Sequence, residues 1–508
     1  MQSGFVFSIC YNEMLFFREV KMFRAGKAID SRIYDRNAIE NGIPSLILME
    51  NAAFSLYLEV VQVIDSFKPE KIVAFAGKGG NGGDSFALLR ILKDRGCNLP
   101  MQIVPLFPLT SHASPLTSHD TFKNFQILPE SVEIIEMDKV SGKVLIIDGM
   151  IGTGLEKNLK ENFEKAVNFI NNYSDKFVVS IDVPTGLNSD SGRIMGCAVK
   201  ADTTVTFGMY KTGLFAEKGP SVCGKTVLGK IGAGESNLPE TSYFVASADD
   251  LESVKVPVDG YKNWYGHLLV VGGEIEKLGA SIIAAESFMA SGGGLVTAAF
   301  KKEIYPDVAG AMIGMMLTDV DEVENSLTKY NSIVIGPGLT EWPFKTVDVF
   351  RNYKGVIIAD AGMFDLMKNH PEILDSLKNC NVVFTPHPGE LSRFLDADKS
   401  EPWIEQIERF PLEKNHTLIA KSHAPFIKLK GITVIVPHGA KALSFGGTGD
   451  ALAGILAFET FANGMEKGSV RAVLRHRQAG IELEKKISAS FHNIETLIEL
   501  IGTTGRIK

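Results

Sequence analysis

The 508-residue sequence predicts an α/β protein built as two layered units, each a parallel, doubly wound sheet with helices on both faces. Three observations carry that expectation. Short apolar runs of strand length recur along the chain, and helical segments separate most of them. A small, polar, acidic stretch at 232–250 interrupts the alternation once, as a boundary would. The chain is also too long for one ordinary core.

Residues 28–64 open the series with apolar positions at helical spacing: Ile29, Ile33, Tyr34 and Ile39, then Leu46, Leu48, Met49 and Ala53. Strands are expected in KIVAFA (71–76), MQIVPLF (101–107), KVLIIDGMIGTG (143–154), KFVVSIDVPTGL (176–187) and DTTVTFG (202–208). Helices are expected at 84–95 and 161–173. The second series runs through GHLLVVGG (266–273), NSIVIGPGL (331–339), GVIIADAG (355–362), CNVVFTPHPGE (380–390), HTLIAKS (416–422) and ITVIVPHG (432–439). It closes with SFGGTGDALAGILAFETFANGM (444–465), a glycine turn feeding a long apolar helix. The expected domains are 22–235 and 245–508.

A net charge of −8 argues against a protein built around nucleic-acid phosphates. Cys10, Cys97, Cys197, Cys223 and Cys380 are odd in number and never spaced Cys-x-x-Cys, which fits free thiols in a reducing cytoplasm. No apolar run reaches the roughly 20 residues of a membrane helix, so no membrane partner is expected. The opening stretch carries Glu13, Arg18 and Glu19 and makes a poor secretory signal. Met22 is expected to be the natural initiator.

Ligands of open α/β sheets sit beyond the carboxyl ends of the strands. Three polar clusters fall there in the first half: Asn81-Gly82-Gly83-Asp84, Asp148 with Gly152-Thr153-Gly154, and Asp182 with Thr185. Each has a plain structural reading, because glycines make turns and Asp caps helices. Their convergence on one edge points to a site. Gly77, Gly79 and Gly82 match a dinucleotide-binding Gly-x-Gly-x-x-Gly. The next strand, however, ends in VPLFPLTSH without the carboxylate that would hold a ribose, and no Gly-Lys-Ser/Thr follows the glycines. Asn81, Asp148 and the Thr185 loop suit oxygen coordination of a hard cation. That leaves Asp182 to hold or deliver a proton.

In the second half, Gly446, Gly447 and Gly449 place amides at a helix N-terminus, where they can hold phosphate. Asp450, in the first turn, is placed to accept a proton from a hydroxyl attacking a nucleotide phosphate. His387, stiffened between Pro386 and Pro388, is read as a ligand contact, and Lys421 either meets a phosphate or is solvated.

Taken in order, LMENAA, GKGGNGGDSF, DGMIGTGL, SIDVPTGLNSDSG, ADTTVTFGMYKTGL, YGHLLVVGG, VIGPGL, TPHPGEL and GGTGDALAG resemble the NAD(P)H-hydrate repair family, in which an NAD(P)HX epimerase is fused to an NAD(P)HX dehydratase. The resemblance covers the chain from about Met22 to its final helix. It implies a Rossmann-like N-terminal domain and a ribokinase-like C-terminal one. It implies that Gly80, Asn81, Gly82, Gly83, Asp84, Gly152, Thr153, Gly154 and Asp182 hold the hydrate, with Asp182 also a catalytic group. Asn81, Asp148 and Thr185 would bind K⁺. In the dehydratase, Asp450 would be catalytic, Ala280, Gly338 and His387 would contact the hydrate, and Lys421, Ser422, His423, Ala424, Pro425 and Gly449 would contact ADP with Mg²⁺. A homo-oligomer in the cytoplasm is expected. Two rival classes are a ribokinase-like small-molecule kinase fused to a nucleotide-derivative-binding domain, and a non-catalytic binding module.

Overall fold

The computed structural model describes residues 22–108, 119–247, 261–437, 439–486 and 493–504. Cys10 and the stretch before Met22, the expected initiator, lie outside them; Cys97, Cys197, Cys223 and Cys380 are free thiols. The chain divides into two compact units, Phe23–Tyr243 and Phe244–Lys508, with Met22 belonging to the second.

In the first unit, β1 (Met22–Gly26) precedes two helices, α1 (Ala28–Glu40) and α2 (Ser45–Phe67). The apolar periodicity across 28–64 reads as one helical stretch, but Asn41-Gly42-Ile43-Pro44 breaks it. Gly42 takes φ +93°, and Pro44 starts the next helix. Ile29 and Ile39 face outward, 55% and 45% exposed; α1 instead buries Ala28, Tyr34 and Ala38. The 23-residue α2 is long and apolar enough to cross a membrane, despite Glu50, Glu59 and Asp65. Its Leu48, Ala52, Leu56, Val60 and Val63 stripe is buried as the face of a core helix.

The sheet of this unit comprises β2 (Lys71–Ala76), β3 (Met101–Pro105), β4 (Val132–Ile134), β5 (Val144–Gly149), β6 (Lys176–Ile181), β7 (Thr203–Phe207) and β9 (Lys225–Gly229). Its order is β4-β3-β2-β5-β6-β7-β9, with every pairing parallel. Alternate residues of the continuous apolar strands serve opposite faces. Ile72, Ala74 and Ala76 join Leu56, Val60, Phe86 and Leu89 on one side; Val73 and Phe75 join Ala166, Val167 and Ile170 on the other. The second face is covered by α5 (Glu161–Asn172), the first by α2 and α3 (Gly80–Asp94), with α4 (His119–Gln126) beside α3. Order reverses between β2 and β5, so the loops after these two strands open the crevice of a doubly wound sheet. The two-residue β8 (Tyr210–Lys211) pairs with β1.

After β10 (Tyr243–Ala246), the second unit contains β11 (His267–Val271), β12 (Leu295–Phe300), β13 (Met316–Asp319), β14 (Ser332–Ile335), β15 (Val356–Ala359), β16 (Asn381–Phe384), β17 (His416–Ala420), β18 (Phe426–Lys428) and β19 (Thr433–Ile435). The order is β13-β12-β11-β14-β15-β16-β17-β18-β19, reversing between β11 and β14. The sheet departs from the all-parallel expectation at its end, where β17-β18-β19 are antiparallel. Only Lys421–Pro425 joins β17 to β18, too short for the helical crossover that a parallel pair needs. Helices α6 (Leu278–Ser291), α7 (Pro388–Phe394), α8 (Thr448–Asn463), α9 (Met465–Lys486) and α10 (Ile494–Thr503) complete the elements used below. α8 is apolar nearly all round and lies in the core with α6, α9 and α10. Within that core Glu459 holds Arg471 at 3.1 Å and Arg475 at 3.0 Å.

Candidate active sites

The Gly-x-Gly-x-x-Gly spacing in the first unit is a packing device. A Cβ on Gly77 would meet Met150 O at 1.8 Å, and one on Gly82 would meet Gly77 O at 1.9 Å. The glycines let the β2 and β5 loops touch backbone to backbone. The helix starts at Gly80, so Gly80 to Asp84 form its first turns rather than a loop.

A cleft of about 860 Å³ opens at this crevice. Gly80, Asn81, Asp84, Gly152, Thr153, Gly154 and Asp182 all line it, as expected for one site. Gly82 and Gly83 do not line it; they are buried, and Gly83 packs against Met49. Asp148 and Thr185 lie beneath the wall, both fully buried. Asp148 accepts from Thr185 Oγ1 at 2.7 Å, Thr185 N at 2.9 Å and Ser180 Oγ at 2.8 Å. Burial raises its pKa, against the lowering effect of these bonds. The Asn81 amide donates to Ile181 O at 2.7 Å and sits under Gly152. The three expected cation ligands therefore gather around the Gly149–Gly152 turn.

Asp182 was expected to be a free acid or base, but it is committed. Lys211 Nζ approaches its Oδ1 to 2.6 Å, and Thr206 donates to the same oxygen at 3.1 Å. Lys211 is 2% exposed, and Asp182 itself takes φ +66°, a strained conformation held at the strand end. Four further carboxyls line the cleft, and two of them, Asp84 and Asp35, couple to Asp182. Asp84 is buried, and its pKa is driven well above the carboxylate range by that burial, then by Asp182 and Asp35. Asp35, on α1, is raised to about 6: enclosure raises it, Lys211 pulls it down, and Asp182 pushes it up again. Sequence reading missed Asp35 and Lys211. The signal for Lys211 was a lysine inside GMYKTGL, and nothing local said that it would be buried.

In the second unit the polar groups also collect at the strand ends. Asp360, after β15, is 1% exposed and takes Lys421 Nζ at 2.6 Å and Thr385 Oγ1 at 2.7 Å. Lys421 is a site lysine, not a solvated one. Burial lowers its pKa, but Asp360, Glu390 and Asp450 outweigh that and hold it raised. A Cβ on Gly449 would lie 3.5 Å from Lys421 Nζ, which puts the ammonium beside the first turn of α8. There Asp450 is raised to about 6, by burial first and then Asp360, against the pull of Lys421. Gly447, at φ +93°, packs on Ile283 of α6, bringing the helix that carries Ala280 against the glycine turn. Gly338, at φ +69°, packs on Gly273 and Lys277 at the β11/β14 crevice. Asp360 was missed, although an Asp closing a buried strand is its own signal.

His387 is a helix cap as well as a site-edge residue. Its Nδ1 accepts from Gly389 N at 2.9 Å and Glu390 N at 3.3 Å, while Glu390 accepts from His387 N at 2.8 Å. With Nδ1 accepting, the neutral ring carries its proton on Nε2, which lies 3.4 Å from Glu390 Oε1. Ser422 Oγ closes the β17–β18 turn on Ala424 O at 2.7 Å. Ala424 is fully buried, so its side chain touches no nucleotide, contrary to expectation. His423 is exposed and Pro425 half-buried. Behind α8, His476 is buried with Nε2 lacking a hydrogen-bond partner; burial lowers it to about 4.

Fold and sites together define a two-unit α/β enzyme with a carboxyl-lined cleft in one unit and a Lys-Asp-glycine-turn centre in the other. Two family models match, the YjeF-related protein N-terminus over residues 45–213 and NAD(P)H-hydrate dehydratase over residues 268–501. The bifunctional NAD(P)H-hydrate repair enzyme of Archaeoglobus fulgidus is 31% identical, covering 84% of this chain and 87% of that protein. Its namesake from Coxiella burnetii is 29% identical with the same coverage. Among solved structures, an ADP/ATP-dependent NAD(P)H-hydrate dehydratase from Bacillus subtilis, co-crystallised with ATP/Mg²⁺, aligns over 51% of this chain and 96% of that one, at 20% identity and a TM-score of 0.42. The chain belongs to the bifunctional NAD(P)H-hydrate repair enzyme family.

Proposed function

We propose that the chain repairs hydrated NAD(P)H: the first unit interconverts the R and S forms of NAD(P)HX, and the second dehydrates the S form to NAD(P)H at the expense of ADP, with Mg²⁺. The observation that carries this reading is Asp450 in the first turn of α8, with Lys421 beside the same turn. A base there can take the proton of the ring hydroxyl as it attacks the terminal phosphate, while the turn amides and Lys421 hold the phosphate oxygens. The ring nitrogen lone pair expels the new phosphate ester and forms a C=N iminium, and loss of a proton from the neighbouring ring carbon to solvent then restores the dihydropyridine. A plain small-molecule kinase would share Asp450 but would leave the N-terminal cleft without a purpose.

Asn81, Asp148 and Thr185 fit K⁺ as a donor set: all three offer oxygen, and the buried Asp148 carboxylate supplies the charge. Bound there, K⁺ would add positive charge beneath the cleft wall. A homo-oligomer belongs to the same proposal, supported by the outward Ile47, Phe54 and Leu58 of α2 and checked by sedimentation.

The test mixes purified protein with each NADHX epimer, K⁺, Mg²⁺ and ADP or ATP, and follows the return of dihydronicotinamide absorbance. Recovery from the S form with ADP is expected. No recovery from either epimer with either nucleotide sinks the assignment. Asp450→Asn should stop recovery and leave epimer exchange intact.

A further inference from the structure

The epimerase cleft has a wall outside the stretch that its family model matches. That match begins at residue 45, whereas α1 ends at Glu40. Ser31, Asp35 and Ile39, each four residues after the last, share one helix face and line the cleft. The Ser31 hydroxyl is buried and has no hydrogen-bond partner. Asp35, one turn later, stays in contact with solvent and makes neither a hydrogen bond nor an ion pair among the described residues. Its helix is fixed firmly: Asp190 Oδ1 accepts from Ala28 N at 2.6 Å, Tyr34 OH donates to Gly234 O at 3.2 Å, and Asn37 Nδ2 donates to Asn237 O at 3.0 Å.

Three carboxyls in the cleft sense one another, and their settings differ. Asp182 is held by Lys211 and Thr206. Asp84 is sealed in the first turns of α3, where a charge is costly. Of these three, Asp35 is the one that combines access to solvent with the absence of a hydrogen bond or ion pair among the described residues. We propose that Asp35 is the catalytic acid and base of epimerisation, giving its proton to the departing ring hydroxyl and recovering one from the returning water, with Ser31 hydrogen-bonding the same oxygen.

The step balances. The C–O bond of the hydrated ring carbon breaks and its electron pair leaves with oxygen; the Asp35 proton makes that oxygen water. The ring nitrogen lone pair forms the C=N bond of an iminium. Water then adds to the opposite face, the C=N pair returns to nitrogen, and the surplus proton returns to Asp35. Asp182, with its charge already answered by Lys211, anchors the nucleotide. The titratable and charged groups that line the cleft with Asp35 are Arg32 and Tyr34 on its own helix, Lys78 and Asp84 at the start of α3, Asp120 on α4, Glu156, Lys157 and Lys160 after β5, Asp182, and Lys211. Among these, Lys211 lowers its titration and Asp182 raises it, which leaves it near 6.

This inference rests on the epimerase reading of the cleft, and the experiment separates the two. The full chain is given (R)-NADHX without nucleotide, and epimer exchange is followed by chromatography from pH 5 to 8. The wild type should show kcat changing with an apparent pKa near 6. Asp35→Asn should lower kcat about 100-fold or more, with KM within threefold, while Asp35→Glu regains part of the rate. S-form dehydration with ADP by the same preparation should be unchanged, which shows a folded protein. A wild type that leaves (R)-NADHX unchanged overturns the cleft's function and this inference together. An active wild type with a flat pH profile, or an Asp35→Asn variant within threefold of it, overturns the role of Asp35 alone.

Discussion

The sequence contains two glycine-rich turns that each feed a helix with an early aspartate, Gly77–Asp84 and Gly446–Asp450, and they do different jobs. In the first, glycine is required because backbones collide: a Cβ at Gly77 or Gly82 would sit within 2 Å of a carbonyl oxygen, at 1.8 and 1.9 Å. In the second, Gly446 has no atom within 4 Å of where a Cβ would lie, and Gly449 has only the Lys421 ammonium, at 3.5 Å. At Gly77 and Gly82 the first turn is filled by its own backbone, whereas at Gly446 and Gly449 the second leaves room for an anion. A glycine motif therefore reports close approach, and the space around it decides whether the approaching group is backbone or ligand.

That contrast can be strained at several points. The largest effect is expected at the lysine that answers Asp182 in the first site. Lys211→Met strands Asp182 in a buried setting and should cost the first unit about 3–5 kcal/mol, read from denaturant unfolding. A loss under 1 kcal/mol would mean that the pair is better solvated than its 2% exposure implies.

An acid transition comes next, and it belongs to the second unit. His476 titrates near 4 when folded, against an unfolded value near 6.5, so the unfolded chain binds the extra proton between those two values. Stability thus falls as pH drops through that window, by about 3 kcal/mol in all. His476→Gln should flatten this acid limb; an unchanged limb would assign it elsewhere.

The glycines themselves supply the third test. Gly82→Ala should destabilise the first unit by about 1–3 kcal/mol, while Gly446→Ala stays within about 0.5 kcal/mol. Equal costs would erase the distinction between filled and open turns. The smallest effect is a shift in a pH profile. Dehydration at saturating nucleotide should fall below about pH 6 as Asp450 gains its proton. Lys421→Met, by removing the charge that lowers Asp450, should move this limb to higher pH. A limb that moves down or stays put would detach Lys421 from Asp450.

Periodicity located nearly every strand that ends in a site, because buried parallel strands are continuous apolar runs that local sequence displays. It missed the shortest strands, β8 with two residues and β4 and β18 with three each, and also β1, β9, β10, β12 and β13, which have four to six. Site residues divide in the same way. Asn81, Asp148, Asp182 and Asp450 stand beside glycines or strand ends and announce themselves. Asp35, Lys211 and Asp360 acquire their character from partners 25 to 176 positions away, as the Thr385–Asp360 bond and the Lys211–Asp35 coupling illustrate. Ala424 entered the nucleotide contacts through the family resemblance of the 421–425 segment, and only the tight antiparallel turn reveals that it points inward.

The fastening of α1 also has a consequence for how the protein is made. Its anchors, Asp190, Gly234 and Asn237, lie 162 to 200 residues downstream. At a synthesis rate of roughly 5–20 residues per second, the helix waits about 10–40 s for them to emerge. The cleft wall that carries Asp35 is thus among the earliest parts translated and among the last that can lock into place. A nascent chain can lay down the parallel sheet while this part of its epimerase site remains unassembled.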